Sequence, residues 1–361
     1  MPPDTEIQKT LQETADEIIT AGKDRGFQFA AYHNGRLVAN ISAGAANPVT
    51  SKVVDEETLF LAFSVTKGIV ATVAHRLIEQ GAISYDTMIA SIWPEFGCQG
   101  KDSITFRQAL EHGSGLPHMP RVTVDTLCDW ETMCSAVANM SPLWKPGSRV
   151  QYHAISWGWI VGEPLRRITG KMMNDLVREL ISEPLRCDGI FVGRPAALQN
   201  RMASLEGEED PADALPNDRP EGIPYWMRPL PATMNRADIQ EACLPAVNGQ
   251  MTALALARHY AALLPEGIDG IRLLKPETIQ GAISPPLRDP DRKRMTGYSR
   301  IEPHPEGEKS VRKFGHGGHG GSGGFVDLDR NTAVGFTRNR LSAEPTLEVL
   351  TSQLYSLLGV A

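Results

Sequence analysis

The stretch LFLAFSVTKGIVATVAHRLIEQGAI, residues 59–83, decides how the rest of the chain is read. A short apolar run leads in, and Ser64-Val65-Thr66-Lys67 then opens a strongly apolar helix. A separation of three puts Ser64 and Lys67 on one helical face, about one turn apart. The N–H groups and dipole at a helix start favour negative charge, which suits an alkoxide or oxyanion forming at Ser64. A lysine in apolar surroundings has its charged form disfavoured, so its pKa falls toward that of a general base. Ser-x-x-Lys alone is a weak signal, since about one chance match is expected in a chain this long. Ser310-Val311-Arg312-Lys313 is such a match, in a charged stretch that reads as exposed. The apolar helix behind Ser64 sets the first match apart.

On the amino-terminal side, Ile7, Leu11, Ala15, Ile18 and Ile19 give residues 5–22 an amphipathic helical spacing. FQFAAYH (27–33) and RLVANISAG (36–44) then flank Asn34-Gly35, the strongest short hairpin signal. The other end mirrors this: strands at 323–328 and 332–338 joined by Asp329-Arg330-Asn331, then a helix over 344–359. The expected fold class is α+β, an antiparallel sheet built from both chain ends with helices on it. Two parts are expected: a discontinuous α/β subdomain of residues 1–63 and 295–361, and a mainly helical subdomain of 64–294. The site is placed at their interface. The acidic, proline-rich segment 205–224 reads as a surface loop or flap, because helical patterning resumes beyond it.

Composition narrows the function. With 41% hydrophobic and 22% charged residues the chain is neither disordered nor fibrous. A net charge of −7 without a basic stripe argues against nucleic acid as a partner. No stretch approaches the ~20 apolar residues of a membrane span. The polar first 24 residues lack the apolar core of a signal peptide, so the cytoplasm is the expected location. Cys98, Cys128, Cys134, Cys187 and Cys243 are scattered and form no ligand cluster, so neither a disulfide frame nor a metal or other cofactor is expected. His112, His118 and His153 have no carboxylate at ligand spacing, and His75 reads as a packed core residue.

Four segments in order carry a family resemblance: FSVTKG (63–68), EHGSGLPH (111–118), PGSRVQYHAISWGWIVGEPLRRITGK (146–171) and FGHGGHGGSGGFVDLD (314–329). They resemble the serine β-lactamase-like superfamily of class C β-lactamases, D-Ala-D-Ala peptidases and family VIII carboxylesterases. The resemblance runs from about residue 27 to 340 and implies the β-lactamase/transpeptidase-like fold. It implies that Ser64 is the nucleophile and Lys67 its partner. Tyr152, in the place of the second-motif tyrosine, would take the serine proton as a phenolate-like base, since a nearby ammonium eases ionisation. His316-Gly317-Gly318 stands where the family has Lys-Thr-Gly. The backbone N–H of His319 would join that of Ser64 in an oxyanion hole. Glycines there let a substrate approach the strand closely, and His316 would hydrogen-bond near Tyr152 or the substrate.

The departures bear on substrate. Ala154 replaces the second-motif asparagine, and His316 replaces the third-motif lysine. Both polar anchors of a β-lactam or D-Ala-D-Ala terminus are lost, and the Tyr-His-Ala form resembles the esterase branch. The expected substrate is a small to medium ester or other acyl donor. Acyl transfer to a second acceptor is the alternative; residual β-lactamase or D-peptidase activity and a silent scaffold rank lower. Trp144, Tyr225 and Trp226 are candidate pocket residues. Gly320-Gly321-Ser322-Gly323-Gly324 also fits G-x-S-x-G, but a strand follows rather than a helix, and no histidine follows His319. Ser322 is therefore read as a turn residue. Oligomeric state is not legible in the sequence.

Overall fold

The alternation in GFQFAAYH sends successive side chains to opposite faces, and both faces of this strand are covered. In the computed structural model, which describes residues 5–207, 222–284, 294–301 and 311–360, this segment is β1 (Gly26–His33). It pairs antiparallel with β2 (Arg36–Asn47) across a two-residue turn in which Asn34 and Gly35 have φ of 49° and 72°. Two positive φ values make the turn whose twist matches the flanking strands, as Asn-Gly predicts. On its other edge β1 pairs with β10 (Thr332–Arg338), from Phe27 opposite Arg338 to His33 opposite Thr332. The two chain ends thus share one sheet.

That sheet has seven strands in the order β3-β2-β1-β10-β9-β8-β7, all pairs antiparallel. The remaining members are β3 (Lys52–Val53), β7 (Ser299–Arg300), β8 (Lys313–Gly317) and β9 (Gly323–Asp327). Phe27, Phe29, Ala31, Val334 and Phe336 face one side and pack against the helices Thr5–Thr20 and Thr346–Leu357. The amino-terminal helix buries Ile7, Leu11, Ala15 and Ile18, the stripe its spacing predicts. Ala30, Tyr32, Phe314, Val326 and Ala333 face the other side and join the larger core beneath the remaining helices.

That larger core is continuous from the sheet into the stretch 64–294. The helix Ala253–Ala261 within this stretch lies directly on the sheet. Two glycines let it approach. A Cβ on Gly335 would stand 2.3 Å from the Ala253 carbonyl oxygen, and one on Gly324 would stand 2.5 Å from the Tyr260 ring. The stretch is also less purely helical than the sequence implies. It contributes β5 (Ile190–Val192) and β6 (Gly249–Met251), which pair with β4 (Phe60–Leu61) in a second, three-stranded sheet. These strands are too short to leave a periodic signal.

β4 delivers the chain into the helix Val65–Glu79, whose first eleven residues are all buried. A helix apolar all round belongs in a core. Its polar residues find partners there: Thr66 Oγ1 accepts the N–H of Gly249 at 2.8 Å, and His75 donates through Nε2 to the Thr296 carbonyl at 2.8 Å. The packed-core reading of His75 is correct. Most of the acidic segment 205–224, and Ser310, lie outside the described residues. Among the described residues no helix is long and apolar enough to cross a membrane, and the five cysteines are free thiols.

Gly335→Ala forces the helix Ala253–Ala261 away from β10, because the clash is with backbone. We expect a stability loss of about 1–3 kcal/mol, as for other overpacked cores. Urea unfolding measures it, and an unchanged midpoint would show that the contact yields freely.

Candidate active site

The chain turns from β4 into the helix through Phe63, a bulky residue with φ of 47°. Such a conformation is a genuine outlier and persists only where the surroundings enforce it. Here they do: Ala62 donates its N–H to the Gly249 carbonyl at 2.8 Å, and Thr66 donates its own to the Phe63 carbonyl at 3.0 Å. The turn leaves Ser64 at the helix N-cap, with a hydroxyl that does not cap the helix. Its oxygen instead meets Lys67 Nζ at 3.2 Å and hydrogen-bonds with the Tyr152 phenol.

Lys67 is fully buried. Its Nζ donates to the carbonyls of Ala154 at 2.7 Å and Ala246 at 2.9 Å. Burial, aided by the nearby Arg294 cation, drives its pKa well below the ordinary lysine value of 10.5. Ala154 thus orients Lys67 through its backbone, while its side chain offers no polar group. Ala246 carries no sequence signal, since a backbone carbonyl can be offered by any residue.

Tyr152 sits over the same point. Its ring has Lys67 Nζ 4.9 Å from the centroid on one side and the Arg294 guanidinium at 4.1 Å. Burial opposes the easing of its ionisation that a neighbouring ammonium is expected to give. Burial outweighs the Ser64 hydrogen bond and the Arg294 charge, and pushes the phenol up to about 12. Burial thus disfavours the phenolate of Tyr152 and the ammonium of Lys67 alike.

Ser64 and Tyr152 open onto a pocket of about 420 Å³, also lined by His316, Gly317 and His319. His316 lies in β8, buried, and donates through Nδ1 to the Gly317 carbonyl at 2.7 Å. Burial, then the charge of Lys67, holds it down at about 3, so the ring is neutral and its Nε2 is an acceptor. His319 packs edge-on against Phe63, with centroids 5.6 Å apart. Gly318 is not in the lining; a Cβ there would stand 2.3 Å from the Ala62 carbonyl oxygen, so its glycine serves close approach to the strand before Ser64.

The structure corrects the pocket candidates. Among the described residues Trp144, Tyr225 and Trp226 do not line this pocket. Trp144 donates through Nε1 to the Arg149 carbonyl at 3.2 Å, and Tyr225 is exposed on a short 3₁₀ turn. Closeness in sequence to Tyr152 or to the acidic segment does not put a ring in the site. Ile223 and Val247 form apolar wall instead, with Arg294, Ser299 and Arg300 from the β7 side. Nothing local marks these arginines. The pairing of β7 with β8, Ser299 opposite Gly315 and Arg300 opposite Phe314, brings Arg300 in, and a bridge to Ser299 brings Arg294. Ser322 is a buried turn residue whose Oγ accepts the N–H of Arg338 at 3.2 Å, and the strand β9 follows it.

Comparison with known proteins identifies the family. The Beta-lactamase family model matches residues 11–354. The esterase/beta-lactamase LipL of Mycobacterium tuberculosis (strain ATCC 25618 / H37Rv) is 33% identical over 336 residues, covering 88% of this chain and 77% of that protein. Among solved structures, a family VIII carboxylesterase superposes with a TM-score of 0.86 at 26% identity, covering 99% of both chains. A penicillin-binding protein homolog from Caulobacter crescentus reaches 0.83 at 30% identity, again over 99% of both. The chain therefore belongs to the beta-lactamase family, a hydrolase family, and shares its fold with family VIII carboxylesterases.

Proposed function

We propose that the protein is a serine carboxylesterase that forms an acyl-enzyme through Ser64 and acts on small to medium esters. The observation that carries this reading is the hydrogen-bond arithmetic at Lys67. Carbonyl oxygens only accept, so a neutral amine must give its two protons to Ala154 and Ala246. Its lone pair is then left for the third neighbour, the Ser64 hydroxyl at 3.2 Å. An amine whose pKa is already depressed is thereby aimed at the proton it has to remove.

In this mechanism the Ser64 proton moves to Lys67 as Oγ attacks the ester carbonyl carbon. The backbone N–H groups of Ser64 and His319 hold the oxyanion, next to a helix start and the arginine-bearing wall. As the tetrahedral intermediate collapses, the C–O bond to the alcohol breaks. Tyr152 gives its proton to the leaving oxygen, and the Lys67 ammonium restores it. Water then attacks the acyl-enzyme by the reverse sequence, releasing the acid and regenerating the Ser64 hydroxyl. An alkoxide is an easier leaving group than an amide nitrogen. That suits a site without the side-chain amide at Ala154 and the cationic side chain at His316. The esterase LipL and the family VIII carboxylesterase support the substrate class.

Hydrolysis of short and medium p-nitrophenyl esters tests the nucleophile. We expect Ser64→Ala to lose the activity by about 10⁴-fold or more in kcat, the scale seen when a nucleophile is removed. Activity that survives would exclude Ser64 as the attacking group for these esters.

The pH profile tests the base. A protonated Lys67 cannot accept the serine proton, so kcat/KM falls as pH drops through its pKa. Because that pKa is lowered, the limb should lie well below 10.5, and Lys67→Ala should cost about 10²–10⁴-fold. A profile that rises only toward about 12 would assign the base to Tyr152 instead.

A further inference from the structure

The glycine-rich loop EHGSGLPH takes no step in the chemistry above, yet it is wired into both partners of Ser64. Hydrogen bonds run from the loop to the segment that carries Tyr152, among them one that Ser114 Oγ donates to His153 Nε2 at 2.8 Å. The Gln151 N–H donates to the His112 carbonyl at 3.2 Å. The His153 N–H donates to His112 Nδ1 at 3.2 Å. The Leu116 N–H donates to His153 Nε2 at 3.0 Å, while His153 Nδ1 donates to the Gln151 carbonyl at 2.6 Å. Further along, Ser156 Oγ donates to the Leu116 carbonyl at 2.6 Å.

His112 thus grips the residues on either side of Tyr152, one through its backbone and one through its ring. The same ring packs against the phenol, with centroids 4.8 Å apart. The residue is 2% exposed and adopts φ of 60°, a left-handed conformation uncommon for a side chain of this size. Its Nδ1 accepts, so the proton resides on Nε2 and the ring is a neutral clamp. Two residues beyond Tyr152 lies Ala154, whose carbonyl orients Lys67. A shift of this segment would therefore move the phenol and the amine's acceptor together.

Resting on the serine-hydrolase reading above, we infer that His112 is a positioning residue that sets the Tyr152 phenol and the Ala154 carbonyl against Ser64. Strained, buried residues held in place by their surroundings mark sites where geometry is enforced. Misplacement of reacting groups by about 1 Å can cost about 10²-fold in rate.

Two variants separate the ring from the backbone. His112→Gly tolerates the positive φ and keeps the carbonyl bond to Gln151, but loses the ring and its acceptor. His112→Asn also tolerates that φ and puts Oδ1 where Nδ1 accepts the His153 N–H. We expect His112→Gly to lower kcat on a p-nitrophenyl ester about 10²-fold with KM little changed, and His112→Asn to recover about tenfold of that loss. Labelling of Ser64 by an alkyl p-nitrophenyl phosphonate should slow in the same order, at full final stoichiometry and with melting temperatures near wild type. Wild-type kcat and labelling rate in His112→Gly would overturn the inference. So would equal losses in both variants, or a loss that merely tracks the fraction folded. If wild type itself is not labelled at Ser64, the serine-hydrolase reading fails first and this inference with it.

Discussion

Taking the Lys67 amine out of water costs more than any single contact can return, unless every proton it keeps has an acceptor. The protein meets that demand with two backbone carbonyls, Ala154 and Ala246, drawn from segments far apart in sequence. Much of the surrounding architecture follows. The helix Val65–Glu79 must be buried from its first turn, the segment after Tyr152 must run along one side of it, and the chain before β6 along the other. Charge is disfavoured there, and the Ser64 hydroxyl is the amine's third hydrogen-bond neighbour.

The same burial divides labour among the other titratable groups. Low polarity disfavours whichever form is charged, so it lowers lysine and histidine and raises tyrosine. Lys67 moves toward usable basicity, Tyr152 moves away from it, and His112, His153 and His316 are kept neutral. Among the described residues the pocket lining holds Arg294 and Arg300 but no aspartate or glutamate. A negative charge arriving on a substrate oxygen therefore meets cationic and N–H groups rather than carboxylates. That asymmetry favours a transition state in which negative charge appears.

How legible this was depended on range along the chain. The Asn34-Gly35 turn, the stripe Ile7, Leu11, Ala15, Ile18 and the Ser64–Lys67 spacing are local patterns, and each appears in the structure where periodicity puts it. The pairing of β1 with β10 was readable from the symmetry of the two ends. Ala246, Arg294 and the grip of His112 on Tyr152 were not, since each arises when distant segments meet and none needs a distinctive residue nearby. Trp144, Tyr225 and Trp226 failed for the complementary reason: neighbours in sequence diverge within a residue or two once the chain leaves regular structure. The depth of burial that raises Tyr152 was not legible either, because it is set by distant segments.

The remaining constraint is mechanical. Ser64 belongs to the helix that β4 feeds, while Gly317 and His319 belong to the end of the large sheet, so the two parts must meet without play. They meet at glycine. Gly318 brings β8 so near the strand before Ser64 that any side chain would strike the Ala62 carbonyl, and Ala62 is itself hydrogen-bonded to Gly249 of β6. Phe63 follows at once, with its φ of 47° and its ring against His319. The strain in that residue is sustained by both sheets acting together. Preorganised donors cost no rearrangement when charge develops, and a backbone held from two sides suits the oxyanion role proposed for Ser64 and His319. Gly317 and Gly318 thus differ in kind: a Cβ on Gly317 would meet open space, while Gly318 serves the strand's own approach to the segment before Ser64.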